Sequence, residues 1–187
     1  MQVLFDSPDS PLASFVSGNI PGRLIIVTGP SGSGKTRWCQ ALVERANILG
    51  IQVSGLVSPA VFQAGVKVGI ELLDLQSGER RPLAVRRGEA DQGQNTLDWH
   101  FNGENLEWGN ALLQGPATGQ LFILDELGLL EFKRGIGLVN AFGVLAGREY
   151  QLACVVVRES LLEAGLALWP WAEVLHMSSG ERSEVPA

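Results

Sequence analysis

The chain has 187 residues, 45% of them hydrophobic, which is enough apolar material for one packed domain. Twenty acidic against 14 basic residues leave a formal charge of −6, which argues against nucleic acid as the main partner, because a phosphate backbone calls for a basic face. The first 22 residues hold no Lys or Arg and no sustained apolar stretch, and no later segment approaches the length of a bilayer-spanning helix. The expectation is therefore no secretory signal, no membrane partner and a cytoplasmic location.

In chain order, residues 1–22 carry Pro8, Pro11 and Pro21 among Ser and Gly and read as an irregular extension, with a single domain over 23–187. Leu24-Ile25-Ile26-Val27 is a short apolar strand. Directly after it, Gly29-Pro30-Ser31-Gly32-Ser33-Gly34-Lys35-Thr36 fits G-x-x-x-x-G-K-[ST] in full, and a helix-compatible stretch, Thr36–Leu49, ends at Gly50. Strand, glycine loop and helix form the context in which this motif binds the phosphates of a nucleoside triphosphate. The glycines let the backbone turn its N–H groups inward, the new helix adds partial positive charge, and Lys35 adds a full one. The Thr36 hydroxyl is suited to Mg²⁺. Gly29 through Thr36 are thus the candidate nucleotide-binding residues.

Gln52–Val57 reads as a second strand, broken by Ser58-Pro59. Over 61–86, Val66, Val68, Ile70 and Leu72 alternate with Lys67, Gly69, Glu71 and Leu73; Gln76-Ser77-Gly78-Glu79 turns, and Arg81–Val85 returns. Period-two alternation around a turn predicts an antiparallel hairpin arm, about 61–87. Residues 88–103 are polar and predict a long loop, and Glu104–Gln114 a short helix. Leu121-Phe122-Ile123-Leu124 and Leu152–Val157 are uninterrupted apolar runs, the kind of strand buried on both faces. Helical segments are predicted at Ile136–Gly147 and Glu159–Ala167, with Val174–His176 as a final strand. This βαβ alternation predicts an α/β fold: a doubly wound, mainly parallel sheet flanked by helices, with the hairpin arm added.

The second chemical signal is Asp125-Glu126, directly after Leu121–Leu124. Apolar residues followed by an acid at a strand's C-terminal end form the Walker B pattern. Asp125 would emerge beside Thr36 and help hold Mg²⁺, and Glu126 would take a proton from water, or orient it, for in-line attack on the γ-phosphorus. Arg158 directly follows Leu152–Val157 and should point at the same edge. There it is either a cation for the charge that develops on the transferred group or a solvated, capping arginine. Arg80, Arg81, Arg86 and Arg87 cluster at the arm, as a lid over phosphates or as ordinary solubilising charge. The groups Trp99/Phe101 and Trp169-Pro170-Trp171 either stack on a base or pack, with packing preferred. Cys39 and Cys154 read as small buried hydrophobes, and the isolated His100 and His176 have no partner pattern for zinc or a triad.

Gly29–Thr36, Gly55 with a Gly69-containing hairpin ending in Leu83-Ala84, and Leu124-Asp125-Glu126-Leu127-Gly128-Leu129-Leu130-Glu131 together resemble the THEP1-type nucleoside triphosphatases, over roughly residues 23 to 176. The resemblance implies a compact RecA-like core and Mg²⁺-dependent hydrolysis of ATP, GTP and other nucleoside triphosphates. It puts phosphate contacts on Gly34, Lys35 and Thr36, metal organisation on Asp125 and water activation on Glu126. Arg158 matches a basic position after the family's late strand, and Glu131 matches a second acid whose role stays open. The chain departs from the family pattern at Ser58-Pro59-Ala60-Val61, where an arginine-containing stretch is usual, and at Val157, where the family has His. Two other readings remain: a small-molecule or nucleotide kinase with Arg80–Arg87 as its lid, and a switch or adaptor with slow hydrolysis and an unknown protein partner. No Asn-Lys-x-Asp guanine signature occurs, so base preference stays open.

Overall fold

The computed structural model describes residues 11–12, 22–86, 99–115, 117 and 119–178. Its frame is a nine-stranded mixed sheet. Five strands run parallel: β1 (Arg23–Thr28), β2 (Val53–Val57), β7 (Leu121–Leu127), β8 (Leu152–Val157) and β9 (Glu173–His176). Their order in space is β2-β7-β8-β1-β9. Every residue of β8 is buried, as are Leu24 to Thr28 of β1, which explains the unbroken apolar runs: both faces are covered.

One face packs on helix α1 (Lys35–Ile48) through Trp38, Cys39, Leu42 and Ala46, together with Ile25, Val27, Ile123, Cys154 and Val156. Leu12, only 2% exposed, joins this cluster, so the predicted irregular extension contributes at least one core side chain; Pro11 and Leu12 themselves have helical backbone. The other face carries α2 (Gly103–Leu112), α3 (Asn140–Gly147) and α4 (Leu162–Leu168) over Leu24, Ile26, Phe122, Leu124, Val155 and Val157. Trp169 is 1% exposed and meets the rings of Phe132 and Phe142 at 6.2 and 5.9 Å, so this tryptophan packs, as preferred.

The arm is larger than the predicted hairpin. β3 (Ala60–Gln63), β4 (Val66–Asp74), β5 (Arg80–Arg86) and β6 (Trp99–Phe101) form an antiparallel extension that joins the parallel strands where β4 pairs β2. Ser58-Pro59 is only a break between β2 and β3, and β3 returns into β4 through Ala64 and Gly65, at φ 47° and 79°. Trp99–Phe101, predicted as loop, is the outer strand β6; α2 then starts at Gly103, capped by the Asn102 side chain, which accepts the Asn105 N–H at 2.9 Å. Residues 88–98 of that loop, and Arg87, lie outside the described residues.

Two predicted helices divide. Within Ile136–Gly147 only Asn140–Gly147 is α-helix, because Gly137 takes φ 89° and stops any continuous helix; Leu130–Arg134 forms a separate π-helical turn, closed by Gly135 at φ 64°. Over Glu159–Ala167, a 3₁₀ turn (Glu159–Leu161) leads into α4. No described helix is long and apolar enough to cross a membrane.

Candidate active site

The carboxyl ends of β1, β2, β7 and β8 deliver Gly29, Ser58, Asp125-Glu126 and Arg158 to one edge of the sheet, the edge at which open α/β sheets gather ligands. The loop after β1 keeps its shape through glycine. Gly29 has φ 134°, and the carbonyl oxygen of Met177 occupies the position where a Cβ would stand. Gly32 and Gly34 have φ 80° and 89° with open space around them, and Gly34 caps α1 without a side chain. The first turn of α1 contains no acid, so its N–H groups and partial positive charge face the loop unopposed. Lys35 Nζ donates to the carbonyls of Gly29 and Pro30 at 2.8 and 2.7 Å, which folds the ammonium back over the loop.

Asp125 is buried, 2% exposed. Burial pushes its carboxyl up from 3.8 to about 6; the Thr36 hydroxyl holds the charged form, the neighbouring Glu126 charge opposes it, and the Ser58 backbone N–H and Lys35 favour it again. Its Oδ2 is buried with no hydrogen-bond partner among the described residues. A desolvated carboxylate oxygen beside a threonine hydroxyl and a lysine suits a divalent cation, because charge and open lone pair are both present.

Beyond Leu124, the register of β7 against β8 shifts, and the Asp125–Glu126 peptide is cis. Glu126 Oε1 accepts from Arg158 Nε at 2.6 Å, the two side chains being 33% and 54% exposed. Behind this pair, Glu131 is buried: Oε2 accepts the Gly128 N–H at 2.8 Å and Oε1 the Leu138 N–H at 3.0 Å.

The structure brings Thr36, Asp125, Glu126 and Arg158 together, and it separates the arm arginines from them. Arg80, Arg81 and Arg86 lie on β5, three strand positions from β7 and five from β1, or roughly 14 and 24 Å at ordinary strand spacing. Arg80 pairs with Glu71, and Arg81 pairs with Glu79 while lying over the Trp108 ring. For these three residues, solubilising and packing roles fit and a phosphate lid does not. Cys39 and Cys154 are fully buried, and burial pushes both thiols up. Ser58, Met177 and the two backbone contacts of Glu131 had no sequence signal as parts of the site; the Gly at 128, between Glu126 and Glu131, was the nearest hint.

A glycine cradle with Lys35 after β1, and an Asp-Glu pair on β7 with β8 between the two strands, define a P-loop NTPase of RecA-like arrangement. Residues 24–161 match the sequence model of the family described as NTPase. The chain belongs to this family, the THEP1-type nucleoside triphosphatases. It is similar to nucleoside-triphosphatase THEP1 of Caldivirga maquilingensis, at 30% identity over 144 residues, covering 77% of this chain and 81% of that one. With nucleoside-triphosphatase THEP1 of Archaeoglobus fulgidus it shares 36% identity over 111 residues, 58% and 62% of the two chains. In fold it resembles the solution structure of a human cancer-related nucleoside triphosphatase (TM-score 0.62, 21% identity, covering 82% of this chain and 88% of that one). The crystal structure of THEP1 from Aquifex aeolicus is similarly related, with a TM-score of 0.59 at 19% identity, covering 87% of this chain and 94% of that one.

Proposed function

We propose that this nucleoside triphosphatase releases the terminal phosphate of ATP, GTP and other nucleoside triphosphates in a Mg²⁺-dependent reaction, with Glu126 as the group that takes the proton from the attacking water. The observation that carries the reading is the position of the Glu126 carboxylate: it follows the buried Asp125 at the strand end that faces the phosphate loop. Gly29 through Thr36 wrap the β- and γ-phosphates, every residue of the loop except Pro30 having a backbone N–H to offer, and Lys35 exchanges its loop carbonyls for phosphate oxygens. Thr36 and Asp125 are the residues that would hold Mg²⁺, and the ion would supply positive charge against the charge that develops on the phosphates. Glu126 draws the proton as the water oxygen bonds to the γ-phosphorus; the bond to the bridging oxygen breaks, and the nucleoside diphosphate leaves. Arg158 stands beside Glu126 to supply positive charge toward the transferred group. The proposed setting is the cytoplasm.

The kinase reading loses its lid, since the described arm arginines lie far along the sheet. The test is phosphate release from a panel of nucleoside triphosphates and diphosphates, with and without Mg²⁺ and candidate acceptors. Hydrolysis of triphosphates that needs Mg²⁺ and no acceptor supports the proposal. Nucleotide consumption that appears only with an acceptor would replace it with phosphoryl transfer to that acceptor.

A further inference from the structure

We infer that Glu131 is a positioning residue that sets the reach of Glu126, an inference that rests on Glu126 being the water-activating group. Glu131 is 7% exposed, and a carboxylate taken that far from water needs strong partners. It has two, both backbone: Gly128 N–H at 2.8 Å on Oε2 and Leu138 N–H at 3.0 Å on Oε1. One side chain therefore ties the two ends of the 128–138 segment, which folds back from β7 toward α3 and contains the π-helical turn Leu130–Arg134. Charge-assisted bonds of this kind are roughly twice as strong as neutral ones.

Gly128 is the point where the three side chains meet the backbone. It lies two residues after Glu126, and a Cβ built on it would stand 3.5 Å from Arg158 Nε and 3.8 Å from both Glu126 Oε1 and Glu131 Oε2. The backbone that Glu131 grips thus forms the floor under the Glu126–Arg158 pair. At the far end, Gly137 at φ 89° leaves the Glu131 carboxylate the space that a Cβ would take. Release of the Gly128 N–H frees the peptide next to the end of β7, and release of the Leu138 N–H loosens the far anchor that holds the Glu131 carboxylate against Gly128. The phosphate loop, which sits after β1 and shares no residue with this segment, keeps its shape. Glu131 acts on turnover through Glu126 and leaves nucleotide binding alone.

The test is a double-mutant cycle in the full chain with Mg²⁺ and ATP, using Glu131→Gln, Glu126→Gln and the double variant. Steady-state turnover is measured together with affinity for a fluorescent ATP analogue. Glu131→Gln keeps the size of the side chain but turns an NH₂ group against one of the two N–H donors. The expected result is a kcat lower by on the order of 10- to 100-fold with nucleotide affinity within about threefold, since misplacing a reacting group by an ångström has this scale of effect. In the Glu126→Gln background the same change should cost less than about twofold, because there is no carboxylate left to aim. Full additivity, or a loss of affinity equal to the loss of turnover, would overturn the inference in favour of a general structural role. Loss of turnover in Glu126→Gln with Glu131→Gln unaffected overturns it and leaves the water-activating assignment standing. Near-normal turnover in Glu126→Gln removes both. Should Glu131→Gln fail to fold, Glu131→Asp, which keeps the charge but is one methylene short, is put through the same cycle, and failure of both to fold makes Glu131 a fold determinant and overturns the inference.

Discussion

Arg158 Nε stands 2.6 Å from Glu126 Oε1, each side chain arriving from the end of a different, neighbouring strand. Arg158 is exposed and Glu126 about one third exposed, so water reaches and screens the pair and its contribution to stability is small, about 0–1 kcal/mol. An arginine that matters little to the fold yet points at the catalytic edge is expected to matter to turnover. Arg158→Ala should leave the melting temperature within about 3 °C and lower kcat by on the order of 10-fold or more. Calorimetry and phosphate release on the same sample check this; unchanged turnover would return Arg158 to the capping role.

Glu126→Gln should lose turnover by on the order of 100-fold or more while binding nucleotide normally, the scale expected when a positioned proton acceptor is removed. Single-turnover phosphate release and a nucleotide titration separate the two effects. A change of less than a few-fold means that Glu126 is not the proton acceptor.

Lys35→Ala should act on affinity first. It removes a full positive charge from the phosphate cradle, and a charge-assisted bond of about 1.5–3 kcal/mol corresponds to on the order of 10- to 100-fold in the dissociation constant. Equal affinity in the variant and the parent, by titration calorimetry, would contradict phosphate contact by this lysine.

Asp125 gives a pH signature. Burial raises its carboxyl from 3.8 to about 6, so between those values the folded chain holds a proton that the unfolded chain has released. This group therefore makes the protein less stable as pH rises from about 4 to about 6, by at most about 3 kcal/mol, with no further change above that window. Asp125→Asn should lack this component and be as stable as the parent or more so near pH 7.5. Denaturant unfolding at several pH values with a chelator present measures it; identical pH profiles for parent and variant would refute it.

Gly55→Ala should damage the fold without touching any phosphate contact. Gly55 has φ 105° and pairs with Ile123, whose carbonyl oxygen lies where the new methyl would go. Strain plus displaced backbone should cost on the order of 3 kcal/mol, read as a lower unfolding midpoint. An unchanged midpoint would mean that β2 and β7 can part without loss.

The long apolar strands were legible because burial on both faces writes itself as an unbroken run, as in Leu152–Val157, whose observed bounds match the predicted ones. The short strands Ala60–Gln63 and Trp99–Phe101 were not, because three or four half-exposed residues carry no periodicity and become strands only when β4 and β5 offer them hydrogen-bonding partners. The split of Ile136–Gly147 was hidden for a related reason: its composition suits a helix, and the positive φ of Gly137 is a tertiary outcome.

By itself, the sequence determined the glycine loop Gly29–Thr36, the acid pair Asp125-Glu126 and the strands that carry them, because these depend on local spacing and on which side chains tolerate burial or a tight turn. Only the tertiary structure decided that Arg158 faces Glu126, that the arm arginines stand three strand positions from β7 and five from β1, and that Glu131 closes its segment on two backbone N–H groups. Those relations join residues through strand order and loop closure, and no local pattern in the chain encodes the distance between two strand ends.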